Sequence, residues 1–298
     1  YKSLIKSENN QANFTKIEDQ NKNSETSSKV VANKPSIINT KEIQDYSNEV
    51  YIGLTESIQI NENYLPDEMR NATFIDYQLN SVDEEYLIIV HKKFTFDNVK
   101  FIFNESVTTK HGAIKIDSGV EVHIFECEFV RCTVSGSGGN AIYFAPSSSN
   151  LIKIEEDQTL NIRTIENCYF YLCSMESEGS SEFTIVADDQ YEIELLNDKF
   201  DKSRGGVKII SNTLLSHIKN CIFNDCQCSG NYVIEVQSSS IEIANISINF
   251  TDITKGSGGI KINNCGKIEI QDSIFSQTNS PTGTIYYTSG TKTTTPDE

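Results

Sequence analysis

The chain of 298 residues has no tryptophan, only four histidines and a marked shortage of positive charge. Its 25 lysines and arginines face 42 aspartates and glutamates, so the formal net charge is −17. Nucleic acids and anionic membranes are therefore not expected as partners, because both carry dense negative charge themselves. The acidic balance favours a soluble surface, and cation binding is an alternative consequence.

Long apolar runs and nucleotide-binding loops are also missing. No stretch of about 18 apolar residues and no secretory signal segment occurs, so no direct membrane insertion is expected within this sequence. The chain begins at Tyr1 and not at Met, which predicts a fragment or a processed chain, so that any signal peptide or membrane anchor is expected outside this sequence. The glycine-rich residues 136–139 lack the Gly-Lys-Ser/Thr of a phosphate loop. No cofactor is expected.

What the chain does contain is a repeat of the form C-x-F-x-x-C. It begins at Cys127, Cys168 and Cys221, and a relaxed copy begins at Ser273. Such self-similarity predicts a solenoid. Seven phenylalanines, aligned on this motif, are predicted to stack along one inner column: Phe103, Phe129, Phe170, Phe200, Phe223, Phe250 and Phe275. One interval, of about 41 residues, is longer than the others and predicts a protruding insertion near residues 147–158.

Glycine pairs followed by alternating apolar residues complete each repeat. Examples are Gly258-Gly-Ile260-Lys-Ile262 and the similar run from Gly112 to Ile116. Period-two alternation over three to five residues predicts short strands, and almost no helical pattern occurs. The predicted fold is therefore all-β, a right-handed parallel β-helix (solenoid). A β-sandwich is the alternative, but it would not need a repeated motif.

Three regions differ in composition. Residues 1–48 are rich in polar side chains and are predicted to form a disordered arm or linker. Residues 49–290 are predicted to form the β-helix domain, with a cap or first rungs over 49–98 and regular rungs over 99–290. Residues 291–298 are predicted to be a polar tail.

Eight cysteines leave several interpretations open. The C-x4-C spacing differs from that of zinc ribbons, so a buried ladder of thiols or disulfides between rungs is expected before a metal site. If the long repeat is one rung with an insertion, Cys127 neighbours Cys168 and Cys132 neighbours Cys173, which allows at most two bridges. The last pair, Cys221 and Cys226, is predicted to neighbour Ile248 and Ile253.

The motifs Gly112-Ala113-Ile114 and Gly258-Gly259-Ile260, each followed by a phenylalanine element, resemble the repeats of the polymorphic outer-membrane proteins of chlamydiae. Large surface proteins of parasitic protists such as trichomonads carry similar repeats. The resemblance covers about residues 95–290, and it departs at the third position after Phe, which is Cys, Ser or Thr here and Asn in that family. More broadly, the pattern resembles the pectin-lyase-like superfamily of right-handed β-helices.

These resemblances imply two functions. The first is a non-enzymatic cell-surface or secreted protein, adhesin-like or a display scaffold, with a host-surface protein or glycan as partner. The second is a polysaccharide-active lyase or hydrolase, which needs clustered carboxylates and bases. The pair Asp188-Asp189 lacks the flanking motifs of polygalacturonases, and the four arginines share no repeat position. No catalytic, cofactor-binding or metal-binding residue is therefore assigned, and the non-enzymatic function is favoured.

Two further sets of polar residues stand out. His123 and His217 each precede a phenylalanine of the repeat by six residues, where other repeats have Thr164, Glu194, Ala244 and Glu269. We interpret this as a variable, outward-facing column and not as a site. Candidate N-glycosylation sites, relevant only in a eukaryotic secretory route, are Asn71, Asn104, Asn245 and Asn249.

Overall fold

The structure is a computed structural model, and it is described over the following residues: 29–32, 45–80, 85–107, 110–134, 138–146, 163–173, 183–188, 191–203, 205–210, 215–226, 232–237, 240–250, 258–276 and 284–288. Within these ranges all regular structure is β-strand. No helix in this part of the chain is long and apolar enough to cross a membrane.

Short strands follow one another along the whole of the described chain. The first are β1 (Lys29–Ala32), β2 (Glu49–Ile52), β3 (Ile58–Ile60), β4 (Glu68–Arg70), β5 (Thr73–Ile75), β6 (Tyr86–Val90), β7 (Phe94–Asp97), β8 (Lys100–Ile102) and β9 (Gly112–Ile116). Next come β10 (Val122–Phe125), β11 (Glu128–Val130), β12 (Ile142–Phe144), β13 (Arg163–Glu166), β14 (Tyr169–Tyr171), β15 (Ile185–Ala187), β16 (Ile193–Leu196), β17 (Lys199–Asp201) and β18 (Val207–Ile210). The last are β19 (Leu215–Lys219), β20 (Ile222–Asn224), β21 (Tyr232–Gln237), β22 (Ser240–Ala244), β23 (Ser247–Asn249), β24 (Gly258–Asn263), β25 (Ile268–Gln271), β26 (Ile274–Ser276) and β27 (Ile285–Thr288).

These strands form three parallel sheets. Sheet A has the order β1-β2-β5-β8-β11-β14-β17-β20-β23-β26, sheet B has β3-β6-β9-β12-β15-β18-β21-β24-β27, and sheet C has β4-β7-β10-β13-β16-β19-β22-β25. From β3 onward each turn of the chain adds one strand to sheet B, then one to sheet C, then one to sheet A. This is a parallel β-solenoid, so the predicted all-β β-helix is confirmed and the sandwich is excluded.

A single residue turns the chain between sheet C and sheet A. Its φ is positive in successive turns, and the residues are Asn71, Asn98, Glu126, Asn167, Asn197, Asn220, Asn245 and Asp272; Asn48, directly before β2 of sheet A, has the same conformation. Asparagine and aspartate tolerate this left-handed conformation better than other side chains. The asparagines also bond to each other: Asn220 Nδ2 donates to Asn197 Oδ1 at 3.1 Å, and Asn245 Nδ2 donates to Asn220 Oδ1 at 2.8 Å.

A second left-handed corner follows sheet A and explains the cysteine motif. In the turn that contains Phe129, the corner residues are Glu126 and Arg131, with φ of 52° and 56°. Each is followed at once by a cysteine, Cys127 and Cys132, and both thiols are buried like the phenylalanine between them. The motif C-x-F-x-x-C therefore contains three inward residues. Each cysteine directly follows a corner, and the phenylalanine lies at the centre of the strand between the two corners.

An aromatic column runs through the core behind sheet A. Its members, in spatial order, are Tyr51, Phe74, Phe101, Phe129, Phe170, Phe200 and Phe223. Neighbouring rings stack with centroids 4.6 to 5.4 Å apart. Strand pairing continues the column through Ile248 to Phe275. Five of the seven predicted phenylalanines thus share the column.

Phe103 and Phe250 do not share it, and the prediction is wrong for these two. Phe129 pairs in register with Phe101, and Phe223 pairs with Ile248. Both displaced phenylalanines are buried, and neither follows a residue with positive φ. Their turns lack the second left-handed corner. The next inward side chain after the column residue, Phe101 or Ile248, is therefore two residues later, whereas it is three residues later in the turns that have this corner. Phe103 packs there on Tyr77, with ring centroids 4.3 Å apart.

The glycine pairs serve the same column. A Cβ atom on Gly206 would lie 2.5 Å from Cε1 of Phe223, and one on Gly259 would lie 2.8 Å from Cδ1 of Phe275. Both distances are shorter than van der Waals contact, so a side chain at either glycine would displace the ring. The two halves of the repeat therefore meet inside the core, with glycine of sheet B facing phenylalanine of sheet A.

The N-terminal boundary lies earlier than the composition predicted. Strand β1 is inside residues 1–48 and pairs in parallel with β2, so the prediction of disorder is wrong for these four residues. Tyr46 is also buried and packs on Tyr51. Strands β2 to β7, within residues 49–98, belong to the same three sheets as the later strands. The rest of residues 1–48 and the tail 291–298 lie outside the described residues.

The long repeat is one turn of the solenoid. Strand β11 pairs directly with β14, which places Phe129 opposite Phe170. The extra residues are therefore an insertion within a turn, as predicted, and not a further rung. The segment predicted to protrude, residues 147–158, lies outside the described residues.

Candidate functional site

The cysteines form two inward ladders, one after each corner. Because Glu128 pairs with Tyr169, Cys127 neighbours Cys168, and Cys132 neighbours Cys173 in the second ladder. The neighbours in the following turn are Asp198, whose Oδ1 accepts from the Cys168 N–H at 2.8 Å, and Ser203, whose Oγ accepts from the Cys173 N–H at 3.2 Å. This is the register that the spacing predicted.

All cysteines in the described ranges are free thiols: Cys127, Cys132, Cys168, Cys173, Cys221, Cys226 and Cys265. Burial raises the pKa of the Cys132, Cys168 and Cys221 thiols, so each is held in its neutral, unreactive form. The predicted neighbours of the last pair need correction. Cys221 neighbours Ile246 and not Ile248, because Ile222 pairs with Ser247. Ile253 lies outside the described residues.

The candidate glycosylation sites occupy hydrogen-bonded positions. Asn71 and Asn245 belong to the corner ladder, and their Nδ2 atoms donate to Asn48 and Asn220. The Nδ2 atom of Asn104 donates to Asp76, and that of Asn249 donates to Asn224. Each amide nitrogen that would carry a glycan thus has a partner in the fold, and glycan attachment at these positions stays a prediction.

The middle outward position of sheet C forms the polar column that the histidines predicted, with one change of membership. Its members in spatial order are Glu68, Thr95, His123, Thr164, Glu194, His217, Glu242 and Glu269, of which Glu68 and Thr95 extend the predicted column at its N-terminal end. Glu242 takes the place predicted for Ala244, because the alignment on Phe250 was two residues out. Because of that error, the sequence alignment did not place Glu242 beside His217, although the two residues are paired in the structure.

This group, the His217 cluster, consists of Glu192, Glu194, His217 and Glu242. The ring of His217 lies between carboxylates of the turns on either side. Its Nε2 is 3.5 Å from Glu192 Oε1, and its Nδ1 is 2.9 Å from Glu242 Oε2. Glu194 is the residue directly paired with His217, and one ligand atom from each of Glu192, Glu194 and His217 lies within 4.8 Å of the others.

The carboxylates of the cluster have different electrostatic environments. A hydrogen bond from Lys219, 3.1 Å away, and the nearby His217 lower the pKa of Glu242. Burial raises the pKa of Glu192, assisted by the charge of Glu194 and opposed by His217. The side chains of Glu192 and His217 are only 15% and 16% exposed. The cluster therefore concentrates negative charge around one imidazole while remaining accessible from the surface.

The other residues considered from the sequence do not join this cluster. Asp188 directly follows β15 of sheet B, and burial raises the pKa of its carboxyl group while Lys208 opposes the shift. Asp189 lies outside the described residues. His123 is in the same column as His217 but lies two turns beyond Glu194, and its Nε2 is 3.9 Å from Glu166. Arg163 is buried, where it donates to the carbonyl oxygen of Val120.

These features define the protein as a parallel β-solenoid with a free-thiol core and an acidic, histidine-containing cluster on one outer face. No protein-family model matches the chain, and no curated protein or solved structure matches it either. The fold is therefore established by the chain's own strand pairing, and the resemblances to particular families belong to the proposals that follow.

Proposed function

We propose that the chain is a non-enzymatic scaffold of a cell-surface or secreted protein, which holds recognition loops on a rigid rod. The observation that supports this function is the continuity of the core. Three parallel sheets extend from turn to turn over the described strands, and the inner column stacks ring on ring from Tyr51 to Phe223 before it continues through Ile248 to Phe275. In a solenoid each turn contacts only its neighbours, so a loop can vary or lengthen without disturbing distant turns.

The architecture supports the proposal of an adhesin-like role. Loops that project from a rigid scaffold commonly carry recognition, and the long repeat accommodates its insertion while keeping Phe129 opposite Phe170. The resemblance to chlamydial polymorphic outer-membrane proteins, to protist surface proteins and to the pectin-lyase-like superfamily is consistent with a surface or extracellular location. The partner class is a host-surface protein or a glycan.

A second candidate function is polysaccharide cleavage, and the His217 cluster favours it. Three glutamates converge on one imidazole, with Lys219 beside them, on an outer sheet face. Most glycoside hydrolases use a pair of carboxyl groups that flank the scissile bond. The two functions predict different fates for a bound polysaccharide. A scaffold releases it intact, whereas an enzyme cleaves it.

The test uses the full chain in two assays. In the first it is applied to an array of immobilised glycans, and in the second it is incubated with polygalacturonate in solution. The scaffold function predicts retention on a subset of glycans, no new reducing ends, and unchanged retention for His217→Ala. Release of reducing ends that His217→Ala abolishes would replace the scaffold function with the enzymatic one. Absence of retention on glycans and on cultured host cells would contradict an adhesin-like role.

A further inference from the structure

We propose that Glu192, Glu194 and His217 bind a divalent transition-metal ion, for which Zn²⁺ is the appropriate probe, on the outer face of sheet C. The inference does not depend on the proposed function, since a scaffold or an enzyme could hold such an ion. It rests on the positions of these three side chains and on the contacts of Glu242 with His217 and Lys219.

The fold brings three ligand atoms together from two neighbouring turns. Glu192 and Glu194 are two residues apart in extended chain at the start of β16, so both point to the same face. His217, on β19, pairs directly with Glu194. The candidate ligand atoms already lie within 4.8 Å of one another. Metal bonds of about 2.0–2.2 Å bring such atoms somewhat closer, and rotation of the flexible glutamate side chains supplies that difference.

Glu242 and Lys219 supply the support that a metal-binding histidine normally has. Histidine ligands usually donate their second ring N–H to a carboxylate, which fixes the tautomer and orients the ring. Here Nδ1 of His217 is buried and 2.9 Å from Glu242 Oε2, while Lys219 holds the same oxygen at 3.1 Å. Nδ1 has no aligned hydrogen bond in this geometry. A rotation of the imidazole that aligns it leaves Nε2, on the side of Glu192, free to bind the ion.

The ligand set selects the class of ion. Imidazole nitrogen favours zinc and related transition metals, whereas calcium and magnesium favour sets of oxygen ligands alone. Two carboxylates and one neutral imidazole balance the charge of a divalent ion. Three protein ligands leave a fourth position open to water or to an oxygen of a partner. Glu192 and His217 are both partly exposed, so water can reach the cluster.

Titration calorimetry of the full chain with Zn²⁺ tests the proposal. We expect one saturable site, at least about 100-fold weaker binding in His217→Ala, and about 10–100-fold weaker binding in Glu242→Gln, which removes the supporting charge but no ligand. His123→Ala is the matched control, because His123 occupies the same outward column near a glutamate but outside the cluster. Its affinity should equal that of the unaltered chain.

Two further measurements keep the result interpretable. Zn²⁺ should raise the melting temperature of the unaltered chain and of His123→Ala but not of His217→Ala, with circular dichroism showing that all three are folded. Co²⁺ should bind without the charge-transfer absorption of thiolate ligands, which separates this site from the seven free thiols of the described core. No saturable binding, binding that His217→Ala leaves unchanged, or a thiolate spectrum in the folded protein would overturn the proposal.

Discussion

The rings of Phe129 and Phe170 stack with centroids 4.8 Å apart and planes inclined by only 5°, although 41 residues separate them in the sequence. The same relationship joins Phe170 to Phe200 and Phe200 to Phe223, at 4.6 and 4.7 Å. Each ring therefore completes the packing surface of the next. The core is a column whose members depend on their neighbours, and removal of one ring affects the turns on both sides.

Replacement of Phe223 by alanine tests this dependence. The ring is fully buried in mid-solenoid, so its loss leaves a cavity and should lower the free energy of unfolding by about 3–5 kcal/mol. Urea denaturation followed by circular dichroism measures the change. Ile222→Ala is the control, because the adjacent side chain is 40% exposed and should contribute much less. Equal losses for the two variants would contradict the inward column.

The contact between Gly206 and Phe223 makes a sharper prediction. Gly206→Ala places a methyl group against the ring and should destabilise the fold by about 1–3 kcal/mol. In a Phe223→Leu background the same change should cost less, because the smaller side chain leaves room for the methyl group. A double-mutant cycle by denaturation measures this coupling. Additive effects would show that the glycine is required for the backbone alone.

The repeat could be predicted from the sequence because its inward residues are chemically distinctive. Alternating isoleucines indicate strands, glycine precedes them, and Cys or Phe marks the inward positions, so the fold class and the neighbouring relationship of Cys127 and Cys168 follow. The register at Phe103 and Phe250 could not be predicted in this way. Whether a corner holds one extra residue depends on a backbone φ angle, and corner residues as different as Arg131 and Leu172 adopt the same positive φ.

Glu242 was missed as a neighbour of His217 for the same physical reason. A two-residue error in register preserves the alternation of inward and outward side chains, so the sequence pattern alone does not expose it. It does, however, change which outward residues are neighbours across turns. With Ile248 in the column, Glu242 lies beside His217, and the cluster emerges from residues that are unremarkable in the linear sequence.

The left-handed asparagine corner predicts that two substitutions of Asn220 destabilise the fold to different extents. Asn220 has a φ of 58° and bonds to asparagines of both neighbouring turns. Asn220→Ala loses both bonds and strains the left-handed backbone, so we expect a loss of about 1–3 kcal/mol. Asn220→Gly loses the bonds but accepts the φ angle, and should be destabilised less. Thermal denaturation of the two variants provides the comparison, and a reversed order would contradict the role of the corner conformation.

Asp198 predicts a pH dependence. It stands in the first cysteine ladder, next to Cys168 and Cys221, and its Oδ2 atom is buried without a hydrogen-bond partner. Burial raises the pKa of its carboxyl group, and Glu166 raises it further, against the lowering effect of the Cys168 N–H. At low pH the carboxyl group is neutral in both the folded and the unfolded chain. As the pH rises above about 4, the unfolded chain loses the proton first, and the folded state becomes progressively less stable.

Asp198→Asn removes this titration while keeping the shape of the side chain and an oxygen acceptor for Cys168. At neutral pH the variant should therefore be more stable than the unaltered chain, by about 1–3 kcal/mol. The advantage should shrink toward pH 4, because protonation relieves the unaltered chain alone. Urea denaturation of both proteins at a series of pH values measures the difference, in which the contributions of all other carboxylates cancel. A difference that does not vary with pH would mean that Asp198 ionises as readily in the folded chain as in the unfolded one, and that the ladder position is hydrated.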